Sequence, residues 1–302
     1  MLGKQVACIA VSDLHLTLTP PSCRREKDWL GVMAGYFDQL KQLHYEIGGH
    51  DVPLVCAGDV FDRPSPPVEL VNWAIRTLPR MYAIPGQHDC AFHRLEDLKK
   101  SGYWTLVEAG TLTNLEYGNP VAVGNVRLHG FPWGTKITPW PDNHGLALEI
   151  AVVHKYIWTR GKSYPNAPKE ARAGKLQDQL VGYDIAVVGD NHSPFELAHT
   201  ELCSVINCGS FLRRKRDEIP HRPSIVVIYA DGTCGRHYLD TSKDQFNDVE
   251  EKGSDGRQRE FAISLADLGG LMIDFADVLR RSMEGEREEV RKIVRELLEE
   301  GK

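Results

Sequence analysis

Short apolar, β-branched runs alternate with stretches of helical spacing along most of this chain, a pattern that predicts an α/β fold. "QVACIAVSDLH" (5–15) opens with a strand, and residues 25–47 carry Trp29, Val32, Met33, Phe37, Leu40 and Leu43 at helical intervals. "VPLVCAGDVFD" (52–62) predicts a second strand, "PVELVNWAIRTL" (67–78) a second helix and "RMYAIPGQHD" (80–89) a third strand. Residues 111–134 become strand-rich, with turn signals at Gly118-Asn119 and Gly124-Asn125. "LEIAVVHKY" and "YDIAVVGDNH" are further buried strands, while "ELCSVINCGS" and "PSIVVIYADGTCGRHYL" predict a closing antiparallel set. After residue 242 a polar linker leads to a helical tail. The expected division is therefore a main domain over 1–242 and an extension over 243–302.

Polar residues fall at the ends of the apolar runs. Asp13 and His15, then Asp59, then Gln87 with His88, then His154, then Asp190 with His192 each follow a predicted strand. Open α/β sheets bind ligands outside the carboxyl ends of their strands, so five such ends in one sheet can converge on one point. One His or Asp after a strand is usually a turn or cap residue. Five in this order are hard to obtain as unrelated turns.

The motifs "SDLH", "GDVFDR", "GQHD", "VVHK" and "GDNH" resemble, in order, the DxH, GDxxD, GNHD, H and GHxH motifs of the calcineurin-like metallophosphoesterases. The resemblance spans about residues 5–240. Within that superfamily "VVHKYIWTRGKSYPNAP", "GDNHSPF", "INCGSFLRR" and "HRPSIVVI" look most like compact, phage-like forms of the SbcD-type DNA repair exonucleases. The resemblance implies a four-layer αββα sandwich around two divalent ions. It places Asp13, His15 and His192 on the first metal, Asp59 as the bridge, and Gln87, His154 and Asp190 on the second. It implies that His88 stabilises the transition state and protonates the leaving oxygen, with Asp89 orienting its imidazole. The implied reaction is phosphodiester hydrolysis by a hydroxide bridging two ions about 3.5–4 Å apart.

Two positions depart from the family wording, Gln87 for Asn and Asp190 for His. Both fall on the second metal. Gln reaches further than Asn and Asp less far than His, so a shift of the ion or an intervening water accommodates the pair. The resulting site is richer in oxygen, which suits Mn²⁺ or Mg²⁺ better than Zn²⁺.

Charge refines the substrate. The chain carries a net −6, but residues 243–302 hold sixteen acids and eleven bases, leaving residues 1–242 at −1. Two divalent ions would make the main domain net positive, favouring phosphate. Arg213, Arg214, Lys215 and Arg216 follow closely on the Asp190–His192 strand. They are either a solvated surface or a track for a DNA backbone. Arg160, Lys162 and Lys175 could extend that track, and Trp133, Trp140 and Trp158 are either packing residues or platforms for unpaired bases. His129 and His221 read as structural. Seven cysteines without CxxC spacing fit reduced thiols in a cytoplasmic protein, and Cys90 reads as a packed residue. No stretch is apolar enough to cross a membrane, and no P-loop, GxSxG or GxGxxG motif occurs.

The tail segment 285–301 places Val290, Ile293, Val294, Leu297 and Leu298 on one helical stripe. Such a stripe docks on its own domain, on a second copy in a homodimer, or on an SMC-like ATPase, the partner implied by the SbcD resemblance. The alternatives to a DNA phosphodiesterase are a phosphoesterase for a small nucleotide or phosphomonoester, and a weakly catalytic scaffold that binds DNA ends.

Overall fold

The computed structural model describes residues 4–140, 145, 147–161, 167–198 and 202–247. Two mixed six-stranded sheets face each other. In the first, β1 (Val6–Val11), β2 (Leu54–Cys56), β3 (Met81–Ala83) and β4 (Leu112–Asn114) run parallel. The second contains β5 (Val121–Val123), β6 (Val126–Phe131), β7 (Leu148–His154), β8 (Ile185–Gly189), β9 (Phe195–Leu197) and β10 (Ser204–Asn207) in the order β5-β6-β7-β8-β10-β9. The chain then returns to the first sheet, where β11 (Ser224–Tyr229) pairs antiparallel with β1 and β12 (Cys234–Tyr238) closes the edge.

The near-continuous apolar runs follow from burial on both faces. Ile9 and Val11 point outward against α1 (Trp29–Ile47), beside Met33, Phe37 and Leu40, in the core shared with α2 (Val68–Thr77) and α3 (Gly102–Glu108). Their neighbours Cys8 and Ala10 point inward and meet Val126, Leu128, Ile150, Val152, Ile185 and Ile206 between the sheets. A side chain that flips to the other face still lands in a core, so every position on β1 must be apolar. Helix α1 starts later than the predicted residue 25 because Asp28 caps it, its side chain accepting from the Gly31 N–H at 2.9 Å.

The outer face of the second sheet is covered differently. Val153, Val188 and Val205 pack under Ile137, Ile157, Leu176, Leu180 and Tyr183. Among the described residues this layer is built from loops and short 3₁₀ turns (Lys169–Ala171, Ala173–Lys175, Gln177–Gln179). The "closing antiparallel set" is also divided. β10 runs parallel to β8 in the second sheet, and only the β11–β12 hairpin closes the first.

The first compact unit extends to Asn247, past the boundary expected at 242, and residues 248–302 form a second unit outside the described residues. The reason is an ion cluster. Asp244 accepts from Arg24 at 2.9 Å, Arg213 at 2.7 Å and the Tyr36 hydroxyl at 2.8 Å, with its side chain 1% exposed. No described helix is long and apolar enough to cross a membrane.

Candidate metal centre

The candidate ligands converge because two sheets, rather than one, present their carboxyl ends at the same edge. Asp13 and His15 follow β1, Asp59 follows β2 and Gln87 follows β3. From the second sheet, His154 ends β7, and Asp190 and His192 follow β8. The backbone turns sharply at these points: Asp13 (φ 54°), His15 (φ 43°), Asp59 (φ 53°) and Asp190 (φ 79°) all adopt left-handed conformations. Such conformations cost on the order of 1–2 kcal/mol each and concentrate at functional sites. Gly58 and Gly86 make the close approach possible. A Cβ on the first would fall 2.2 Å from His154 Nδ1, and on the second 2.1 Å from Asp59 Oδ1.

Among the described residues three groups of ligand atoms result, each gathered within 4.8 Å: two built on the expected ligands, Asp13–His15–His192 and Asp13–Asp59–His154, and a third, His15–Asp62–His88. Hydrogen bonding fixes the imidazole tautomers. The Nδ1–H of His192 donates to Glu218 Oε1 at 2.8 Å, and that of His154 to the Ala57 carbonyl at 2.6 Å. Both acceptors can only accept, so each Nε2 turns inward. His192 Nε2 lies 3.1 Å from His15 Nε2. His154 Nε2 lies 2.7 Å from Gln87 Oε1 and 3.4 Å from Asp59 Oδ2.

Carboxylate oxygens, ring nitrogens and an amide oxygen therefore crowd one buried space, which is the chemistry of a cation site. Asp59 Oδ2 and His15 Nδ1 are buried without a hydrogen-bond partner. The electrostatics of the site carry the same frustration. Burial opposes charge on His154, yet Asp59, Asp13 and Asp190 outweigh it and push the imidazole up to about 10. Burial would raise Asp59, but His154 and His15 hold it well below the usual carboxylate range. At His15, burial and then Arg214 depress the imidazole to about 3, so it presents a lone pair. A set of carboxylates, imidazole nitrogens and an amide oxygen fits divalent ions, which would take the place of the proton that the surrounding carboxylates hold on His154.

The second-site departures behave as a pair. Gln87 offers Oε1 to the His154 side while its Nε2 donates to Asp190 Oδ1 at 2.7 Å. Asp190 enters none of the three carboxylate–imidazole groups. Its geometry is that of a clamp on Gln87, and its N–H donates to Asp13 Oδ1 at 3.0 Å, tying the two sheets together. Asp190 thus holds the Gln87 amide, whose oxygen turns to His154.

His88 lines the adjoining cleft. Its Nδ1–H donates to the Asp62 carbonyl at 3.0 Å, and its N–H to Asp59 Oδ1 at 3.0 Å. Asp89 does not orient it. That carboxylate is fully buried and accepts from the N–H groups of Val60, Phe61 and Gly86 at 2.9–3.1 Å, stapling the β2 and β3 loops. The carboxylate is turned to these amides, and the imidazole is held by the Asp62 carbonyl instead.

Two functional residues escaped the sequence reading. Asp62 pairs with Arg214, faces His15 Nδ1 at 3.3 Å and offers its carbonyl to His88. Its signal was the second Asp of "GDVFD". Glu218 accepts from His192, and its Oε2 from the N–H groups of Arg214 at 2.7 Å and Lys215 at 3.1 Å. Burial opposes its ionisation, but His192 and the Arg214 N–H hold its carboxyl down to about 2. Nothing local in the sequence marked it.

The basic run divides. Arg213 is spent on Asp244 and the carbonyls of Ile219 and Thr241, and Arg214 on Asp62. Lys215 lines the cleft, and Arg216 is exposed. His129 pairs with Glu149 at 2.7 Å and His221 with the Ser210 carbonyl at 2.7 Å, both structural. Trp158 donates to the Pro168 carbonyl, and Trp140 packs on His129. Burial and the adjacent Asp89 push the Cys90 thiol up to about 12, so it is no nucleophile. Lys162 and the 285–301 stripe lie outside the described residues.

A metallophosphoesterase structure from Sphaerobacter thermophilus is 15% identical, covering 78% of this chain and 88% of its own, with a TM-score of 0.38. A 5'-nucleotidase precursor structure from Thermus thermophilus is 12% identical over 87% of this chain and 59% of its own, with a TM-score of 0.42. No curated protein matches the sequence. The family model of the calcineurin-like phosphoesterases matches residues 8–194, which contain all seven candidate ligands, and the chain belongs to that family.

Proposed function

We propose that this chain is a divalent-metal-dependent phosphodiesterase acting on DNA, the nuclease subunit of an SbcD-like system. The observation that supports DNA is the shape and lining of the cleft beside the ligands. It is open, about 770 Å³, and runs from Gln87, His88 and His192 to Lys215 and Arg222; of the acids on its wall, Glu218 and Asp190 are engaged by His192 and Gln87. An enclosed pocket would favour a small phosphomonoester. Cations along an open cleft favour a polymer whose phosphates continue past the reacting one.

When bound, the divalent ions supply Lewis-acid stabilisation of the phosphoryl oxygens and lower the pKa of the attacking water. The chain supplies the rest. Asp59 sits between the two ligand groups, within 3.5 Å of both His15 and His154 Nε2. His88, held by the Asp62 carbonyl, offers its other nitrogen to the leaving oxygen. Gln87 and Asp59 make the second site oxygen-rich, with Asp190 holding the Gln87 amide, which favours Mn²⁺, with Mg²⁺ as the other candidate. The 285–301 stripe supports a proposed helical contact with an SMC-like ATPase.

The test is a manganese-supplemented assay on end-labelled single- and double-stranded DNA, beside bis-p-nitrophenyl phosphate, with Asp59→Asn as control. We expect both substrates to be cut and the variant to be inactive but folded. Cleavage of the generic diester alone would remove DNA as the substrate. Near-wild-type turnover by Asp59→Asn would remove the two-metal assignment.

A further inference from the structure

The far wall of the cleft carries chemistry that phosphate hydrolysis does not use. Tyr238 ends β12 with 46% of its surface exposed, and it lines the same cleft as His88 and His192. The Arg222 guanidinium lies over its ring, 4.3 Å from the centroid. The sheet register explains the placement. Tyr238 pairs with Ser224, while Ala10 pairs with Val226, so Tyr238 sits at the end of the sheet from which Asp13 emerges.

Arg222 differs from the arginines around it. Arg213, Arg214 and Arg236 are each committed to carboxylates, carbonyls or hydroxyls of the fold. Among the described residues Arg222 has no hydrogen bond or ion pair; its recorded partner is the Tyr238 ring. The Tyr238 hydroxyl is likewise without a hydrogen bond among the described residues. An exposed ring with an uncommitted guanidinium against it is an arrangement that core packing does not require. Of the three acids on the cleft wall, Glu218 is engaged by His192 and two amides and Asp190 by the Gln87 amide, which leaves Asp217 against the two cations Lys215 and Arg222.

We infer that Tyr238 and Arg222 form a nucleobase platform, on which the base of the nucleotide at the reacting phosphate stacks. The inference rests on the phosphodiesterase reading and names its substrate more closely. A base drawn out of its own strand's stack onto the ring gives up its partner, so the platform favours a nucleotide from a single-stranded end. Stacking on an aromatic face accepts every base, because each has a π-face, so no sequence preference follows. Lys215, on the same cleft, faces the negative backbone that such a strand would carry.

The test is calorimetric titration of the full-length, manganese-supplemented chain with dAMP and with deoxyribose 5-phosphate, which lacks only the base. We expect dAMP to bind at least about 5-fold more tightly, the low end of base–aromatic stacking. Tyr238→Ala should bring the ratio to about one, and Tyr238→Phe should keep it. Equal binding of the two ligands by the wild type, or a ratio that survives in Tyr238→Ala, overturns the platform and leaves the phosphodiesterase reading standing. Failure of both ligands to bind overturns the platform together with the phosphate site beneath it.

Discussion

Glu218→Ala tests whether the metal centre depends on a residue that holds no metal. The carboxylate accepts three N–H groups, from His192 Nδ1, Arg214 and Lys215, at 2.7–3.1 Å, and its side chain is 7% exposed. Removing it leaves His192 free to rotate and to exchange tautomers, so Nε2 no longer points inward by default. Loss of such an outer partner typically lowers metal affinity about 10–100-fold, or roughly 1.4–2.7 kcal/mol. Two backbone donors also lose their acceptor. At about 1–3 kcal/mol for each unsatisfied buried group, with cleft water replacing part of the loss, the fold should weaken by on the order of 3 kcal/mol. Calorimetric titration with Mn²⁺ and thermal unfolding in chelator measure the two effects separately. A folded Glu218→Ala protein with wild-type affinity at every site would show that His192 is not a ligand, or that its orientation is set elsewhere.

His88→Ala should bind metals normally and lose about 10²–10⁴-fold in rate. Because His15, Asp62 and His88 themselves lie within metal-binding reach of one another, a lost ion on titration would move His88 into the ligand set. Asp190→Ala should release the Gln87 amide and weaken one site about 10–100-fold, while both sites still fill at saturating Mn²⁺. Anomalous scattering showing that site empty would make Asp190 a direct ligand. A chain ending at Asn247 should remain folded, whereas one ending at Ser242 loses Asp244, leaving Arg24 with Glu26 as its carboxylate partner and Arg213 with backbone carbonyls alone, costing on the order of 3 kcal/mol. Equal thermal stability of the two chains would refute that cost.

How much of this was legible in the sequence depends on the range of the interaction. Strand identity and ligand order are local properties: an apolar run buried on both faces, then a polar residue where the chain must turn. Asp13, His15, Asp59, Gln87, His154 and His192 could therefore be picked out by reading along the chain. Resemblance to a known motif order carried the same residues further, to a family and a metal count. That five strand ends come from two sheets was not legible, because pairing of β10 with β8 or of β11 with β1 is decided between segments far apart in sequence. Similarly, the basic run read as one feature, although Asp244, Ile219 and Asp62 had already claimed Arg213 and Arg214. Asp89 was assigned to its sequence neighbour His88, but three amides from the β2 and β3 loops reached it first. A side chain's type is written in the sequence. Which of several possible partners satisfies it is settled only when burial removes water as the alternative, and that is a property of the folded chain.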